Sequence, residues 1–173
     1  MTRVKIALVL VLAALGAVAA RAQMLEPTPF PPMAKLRRLA GTYKGMVMQS
    51  SVDSIVPARL IWEVVSGGQA VLERLKMGET DEMVSVYYQE GDQMMMTHFC
   101  SSNTQPRLRT RAIPHDMKLM RFEFVDSTNI LKANWMNISW LELQFPEPDA
   151  IVQVWQSHDP GAKAVIIKFH KTN

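Results

Sequence analysis

The chain has 173 residues, a length that suits one domain of ordinary size. Its first 22 residues carry three basic side chains and no acidic one, and the remaining 151 residues balance 16 Lys and Arg against 16 Asp and Glu. The basic character therefore belongs to the leader. A formally neutral remainder argues against a nucleic-acid-binding protein and against a protein held on anionic lipid by charge.

The N-terminal segment has the layout of an export signal. Arg3 and Lys5 precede an apolar run over residues 6–20, and Ala20-Arg21-Ala22 is a small-x-small cleavage pattern. The run is shorter than the roughly 20 apolar residues that a membrane-spanning helix requires. The pattern predicts a signal peptide over 1–22, cleaved near Ala22. The mature chain is then expected to be periplasmic or secreted, with no membrane association.

Residues 23–32 contain four prolines, which predicts an extended, Pro-rich tether. The β-barrel domain that follows, 33–173, opens with a short predicted helix over 33–40. Apolar residues recur there near helical spacing, and Gly41 is a typical residue after the end of a helix.

From Gly41 onward, short apolar runs alternate with turn signals such as Ser66-Gly67-Gly68 and Glu90-Gly91-Asp92. Strand-like segments at a spacing of about 8–12 residues favour an antiparallel sandwich or barrel. The predicted strands cover 42–49, 58–65, 70–77, 83–89, 94–99, 107–112, 118–125, 135–145, 150–157 and 163–170. The predicted fold is all-β, a single antiparallel up-and-down barrel of about ten strands with a short N-terminal helix. An open sandwich is the alternative.

The most distinctive stretch of the sequence is Thr97-His98-Phe99-Cys100, which is followed by Asn103 and by Gln105-Pro106-Arg107. With Ala40-Gly41-Thr42-Tyr43 at the start of the strands, it resembles a family of secreted bacterial lipocalin-like (calycin-type) β-barrels of unknown function. The resemblance runs from about residue 36 to residue 169. It implies an exported calycin barrel and implies no reaction.

The same stretch supplies the candidate site. His98 and Cys100 are two residues apart on a predicted strand, so their side chains share a face. A polar cluster inside a largely apolar barrel is what fixes the orientation of a bound ligand. The predicted ligand-binding residues are His98, Asn103, Gln105 and Arg107, with Glu73 and Tyr87 next. The alternative is that Asn103 and Gln105 cap the turn, and that His98 and Arg107 satisfy each other or backbone groups. Glu73 is then either outward and solvated or buried and paired with Arg107.

The leading functional hypothesis is a barrel that binds a small apolar or amphipathic molecule in its lumen, with no cofactor. One alternative is a lumenal enzyme that uses His98 with Glu73 or Tyr87. Another is a haem-binding barrel in which His98 or His170 is the axial ligand. A metal site is not expected, since His98 and Cys100 supply two ligands and no spacing demands a third. A second copy of the chain is a further expected partner, as a homodimer across an apolar outer face.

Three arginines, Arg107, Arg109 and Arg111, share one face of a predicted strand. If they point inward they form an anion site, and if they point outward they form an ordinary solvated stripe. A bulge near Pro106 would turn one of them inward.

Overall fold

The structure is a computed structural model, which describes residues 30–49, 55–113, 115–130, 137–159 and 161–172. The predicted signal peptide and most of the predicted tether lie outside these residues. The described elements are α1 (Pro31–Arg38), β1 (Gly41–Gln49), β2 (Val56–Val65), β3 (Ala70–Met77), β4 (Met83–Glu90), β5 (Gln93–Phe99), β6 (Gln105–Thr110), β7 (Leu119–Thr128), β8 (Ile138–Gln144), β9 (Ala150–Ser157) and β10 (Val165–Lys171). Within this part of the chain, no helix is long and apolar enough to cross a membrane.

The ten strands close into one antiparallel barrel. Each strand pairs with the next in the sequence, and β1 pairs with β10 to complete the ring. The predicted all-β barrel with a short N-terminal helix is therefore confirmed. All ten predicted strands occur, and their ends shift by no more than three residues. Closure pairs every internal strand on both sides, which removes the exposed edges that an open sandwich would keep.

The seam between β1 and β10 depends on one glycine. A Cβ atom at Gly45 would collide with the carbonyl oxygen of Lys168 and would lie 2.5 Å from the ring of Phe169. Both contacts are far shorter than van der Waals distance. The two strands can approach at this register only because residue 45 has no side chain.

Helix α1 covers one end of the barrel, which we call the closed end. It begins two residues earlier than predicted because Pro31 and Pro32 occupy its first positions, where a missing N–H leaves no helical bond unmade. Leu36 is fully buried in the barrel core. The Tyr43 hydroxyl donates a 2.6 Å hydrogen bond to the carbonyl oxygen of Leu39, which joins the chain after the helix to β1.

Candidate functional site

The opposite end of the barrel, which we call the open end, holds a cavity of about 330 Å³. It lies among the ends of β3, β5 and β9 and the turns that follow them. Its lining is mostly apolar and includes Leu75, Met77, Met83, Ile138, Trp155 and Val165. The lining also includes the polar residues His98, Ser157 and Lys163.

The middle of the barrel interior is filled by side chains. Trp62, Tyr87 and Phe122 are fully buried and pack in sequence, with ring centroids 5.6 Å apart at each contact. The cavity therefore occupies one end of the lumen, and the aromatic layer separates it from the closed end.

A buried carboxylate lies in this aromatic layer. Glu73 is fully buried, and its Oε2 accepts hydrogen bonds from Trp62 Nε1 at 2.8 Å, Tyr87 Oη at 3.1 Å and Gln153 Nε2 at 2.6 Å. Its Oε1 accepts a 3.0 Å bond from the hydroxyl of Ser85. Donors from three strands, β2, β4 and β9, thus converge on this side chain of β3, and their buried polar groups are paired by it.

Burial sets the acid–base properties of this network. Burial raises the pKa of Glu73, and the hydrogen bonds from Trp62, Ser85, Tyr87 and Gln153 oppose that rise. Burial, together with the neighbouring Glu73 carboxylate, also holds the pKa of the Tyr87 phenol well above its ordinary value. Tyr87 therefore acts as a hydrogen-bond donor here and does not ionise at neutral pH.

His98 connects the network to the cavity. Its Nδ1 lies 2.9 Å from Ser85 Oγ, and its ring packs against Trp155 with centroids 5.0 Å apart. The side chain is 98% buried, and burial lowers the pKa of the imidazole to about 4. His98 is therefore neutral at physiological pH and presents an uncharged ring to the cavity.

The structure brings together three of the six predicted ligand-binding residues. His98 lines the cavity, and Glu73 and Tyr87 lie behind it in the network. Glu73 does not pair with Arg107, so that expectation from the sequence is wrong. The carboxylate is satisfied by neutral donors from neighbouring strands.

The other three predicted residues lie on the outer side of the barrel, away from the cavity. Asn103 is exposed at a turn, where its carbonyl oxygen accepts a 3.1 Å bond from Asn129. Gln105 accepts hydrogen bonds from Thr128 and Asn129, and Arg107 pairs with Asp126. The physical reason is the period-2 alternation of β6, which places Pro106, Leu108 and Thr110 inward and the residues between them outward.

Arg109 and Arg111 are also exposed, so the three arginines form a solvated stripe on the outer face. The irregularity in pairing lies opposite the bond between Arg107 and Leu108, where β7 has one extra residue, Val125. A bulge in the partner strand leaves the alternation of β6 intact, and no arginine of the stripe is turned inward.

The two histidines considered as haem ligands lie on opposite sides of the wall. His98 faces the cavity, whereas His170 is exposed on the outer face of β10. In the described ranges, no group of three or more His, Cys, Asp or Glu side chains is arranged to hold a metal ion.

Sequence reasoning missed Ser85, Gln153, Trp155 and Ser157. Ser85 and Tyr87 alternate inward along β4, as Gln153, Trp155 and Ser157 do along β9. The alternation predicts which face each residue occupies once one inward residue is known. It does not predict which strands meet across the lumen, because Gln153 and Glu73 are 80 residues apart.

No protein-family model matches the sequence, and no curated protein is similar to it in sequence. The fold is similar to the crystal structure of Rv2717c from M. tuberculosis, with a TM-score of 0.56 at 9% identity over 83% of this chain and 98% of that chain. A redesigned β-barrel gives a TM-score of 0.43 at 8% identity over 80% of this chain and 96% of that chain. The likeness to Rv2717c supports the closed barrel fold alone.

Proposed function

We propose that this chain binds a small, mainly apolar molecule in the cavity at the open end of the barrel. The observation that carries the proposal is the cavity itself, about 330 Å³ of space lined mostly by apolar side chains. A volume of this order is typical of small-molecule sites, which combine an apolar lining with a few placed polar groups. His98 and Ser157 are such groups here.

The placement of the cavity supports binding over a purely structural role. The interior toward the closed end is filled by Trp62, Tyr87 and Phe122, as stability requires. At the open end, Met77 and Val165 remain only partly buried. An apolar ligand would bury the surface that these side chains leave accessible to water, and its binding would therefore be favourable.

The test begins with the mature protein, recovered after expression of the full chain through its export route. Native mass spectrometry gives the mass of any molecule retained, and extraction of the denatured protein identifies it. We expect a molecule of mainly apolar character at up to one per chain. Ala162→Trp fills the cavity and should abolish retention, whereas Ala112→Trp, at the opposite end, should leave it unchanged.

Loss of retention in both Trp variants, or in neither, would contradict the assignment of the cavity as the site. The same preparation separates the alternatives. A Soret band that disappears in His98→Gln would favour haem bound through His98. A second copy in the native mass, with an empty cavity, would favour the homodimer.

A second candidate function follows from one specific contact pattern. Ser85 Oγ lies within 3.0 Å of both Glu73 Oε1 and His98 Nδ1, so His98 is oriented by a hydrogen-bonded carboxylate as a general base would be. This pattern favours proton abstraction from a bound molecule. If so, the molecule recovered after incubation will differ chemically from the one supplied, and His98→Gln will prevent the change.

The proposal includes export. The Arg3 and Lys5 head, the apolar run and Ala20-Arg21-Ala22 favour cleavage near Ala22, which would deliver the barrel to the periplasm or the exterior. N-terminal sequencing of the exported protein is expected to begin at Gln23. A mature protein that begins at Met1 would overturn this part of the proposal.

A further inference from the structure

The direction of the hydrogen bonds in the buried network determines which nitrogen of His98 carries the proton. Trp155 Nε1 donates to Gln153 Oε1 at 3.0 Å, so the amide of Gln153 must turn its NH₂ group toward Glu73. Glu73 Oε2 therefore receives three donors, from Trp62, Tyr87 and Gln153. An oxygen with three donors has no room for a proton of its own.

The fourth donor, Ser85, links the carboxylate to His98 at the cavity and determines the direction of the next hydrogen bond. With Glu73 ionised, Oε1 accepts the single hydroxyl proton of Ser85. Ser85 Oγ can then only accept from His98, so Nδ1 of the imidazole carries the N–H. Neutral imidazole has one protonated nitrogen, and Nε2 is consequently left with a free lone pair. No group among the described residues hydrogen-bonds to Nε2.

A second polar atom in the lining is also without a partner. Ser157 Oγ is buried, and no hydrogen-bond partner for it lies in the part of the chain that the structure describes. Ser157 follows Gln153 and Trp155 in the inward row of β9 and lines the same cavity. Native structures leave few buried hydroxyls unpaired, and such a group calls for a water or a ligand.

On the basis of the proposed function, we propose that the ligand carries an uncharged polar head with an O–H or N–H group that donates a hydrogen bond to Nε2 of His98. Ser157 Oγ is free to donate to an acceptor atom of the same head. The class is an alcohol, a phenol or a primary amide with an apolar body. A carboxylate is excluded from this position because it has no proton to donate and would face the lone pair of Nε2.

Three eight-carbon probes separate the possibilities by isothermal titration at pH 7, namely 1-octanol, 2-octanone and octanoate. The alcohol donates, the ketone only accepts, and the carboxylate is charged. We expect the exported wild-type protein to bind 1-octanol at least tenfold more tightly than either of the others, the factor that corresponds to one lost hydrogen bond. Arg107→Gln, on the outer face, should show the same preference.

Glu73→Gln is the decisive variant, because Glu73 acts as a positioning residue. Its amide oxygen must take the place of Oε2, where three donors converge, and its NH₂ group then donates to Ser85. Ser85 in turn donates to Nδ1, so Nε2 gains the proton and becomes a donor. We expect 2-octanone to bind this variant about tenfold more tightly than it binds the wild type, because an alcohol is no longer required.

The tautomer itself is measured without any variant. Nitrogen chemical shifts of ¹⁵N-labelled wild-type protein are expected to show His98 protonated at Nδ1, the less common form of a free imidazole, and this measurement stands even if Glu73→Gln fails to fold. A proton on Nε2 in the wild type would overturn the proposal. Octanoate that binds as tightly as 1-octanol, and loses affinity in Lys163→Gln, would also overturn it by placing the head at the rim.

The outcomes distinguish this inference from the function on which it rests. If the three probes bind with equal affinity and Ala162→Trp blocks all three, the cavity is a binding site and only the head-group assignment fails. If none of the probes binds, and no molecule is retained by the exported protein, both fail together.

Discussion

The two ends of the barrel differ in what occupies the lumen. At the closed end, α1 inserts fully buried Leu36 among the strands, and the Tyr43 hydroxyl ties β1 to the carbonyl of Leu39. Burial, with a smaller effect from Asp149, raises the pKa of Tyr43 to about 12, so this bond keeps its proton. At the open end, the walls enclose about 330 Å³ that the described side chains do not fill.

The hydrogen-bond network around Glu73 lies between these two ends and contacts residues on both sides. On one side it satisfies buried donors of the packed interior, among them Trp62 and Tyr87. On the other it holds, through Ser85, the imidazole of His98, which lines the cavity. The network stabilises the packed interior because the donors around the carboxylate are paired, and each unpaired donor would cost free energy. The packed aromatic layer and the cavity are thus separated along the barrel axis and are connected through one carboxylate.

Removing apolar volume at each end should have the largest effect. Leu36→Ala should lower the free energy of unfolding by about 2–5 kcal/mol, because it leaves a cavity in the packed end. Met77→Ala, in the partly exposed lining of the open end, should cost much less. Urea unfolding of both variants checks the difference. Equal losses would show that the open end is packed as tightly as the closed end.

The second largest effect concerns pH. The folded-state pKa of His98 is lowered to about 4 from an ordinary value of 6.5, so its contribution to stability is present above pH 6.5 and is lost as pH falls toward 4. The shift corresponds to about 3 kcal/mol. Glu73, whose pKa burial raises, contributes in the opposite direction in both proteins, so urea unfolding at pH 7.5 and pH 4 should show a larger loss in the wild type than in His98→Gln. Leu36→Ala is the control and should follow the pH dependence of the wild type.

Tyr87→Phe tests the hydrogen-bond network around Glu73, which lies between the two ends. It removes one of three donors to Glu73 Oε2 and should lower the free energy of unfolding by about 1–2 kcal/mol at neutral pH. Because burial raises the pKa of Glu73, its contribution to stability is present at low pH and is lost as pH rises through the folded-state pKa. Losing a donor to the ionised form raises that pKa further, so the cost of the variant should shrink toward pH 4. A cost that does not change with pH would contradict the assignment of a charged Glu73.

The sequence predicted the barrel well because the information for it is local. Each strand carries its own alternation and its own turn signals, such as Glu90-Gly91-Asp92, and ten short antiparallel strands have few closed arrangements. The site depends on contacts across the lumen, such as that between Glu73 and Gln153, and no local pattern encodes them. His98 is predicted because it belongs to a cluster of polar residues in a largely apolar barrel.

Arg107 was misplaced for a related reason. The prediction groups Arg107 with His98 because the two residues lie close together in the chain. The turn between β5 and β6, and the alternation of β6, carry Arg107 to the outer face, where it meets Asp126. Adjacency in sequence therefore grouped residues that the wall of the barrel separates.

The smallest expected effect belongs to the outer face of the barrel, away from the cavity. Arg107→Gln removes an ion pair in which both side chains are exposed to solvent. Water and salt screen the attraction between the charges in such a pair. Neither the free energy of unfolding nor the affinity for 1-octanol should change beyond experimental error. Asp126→Asn, which removes the partner carboxylate, is the matched variant and should behave in the same way. If either variant weakened binding while His98→Gln did not, the site would lie on the Arg107 face of the wall, and the cavity at the open end would not be where the ligand binds.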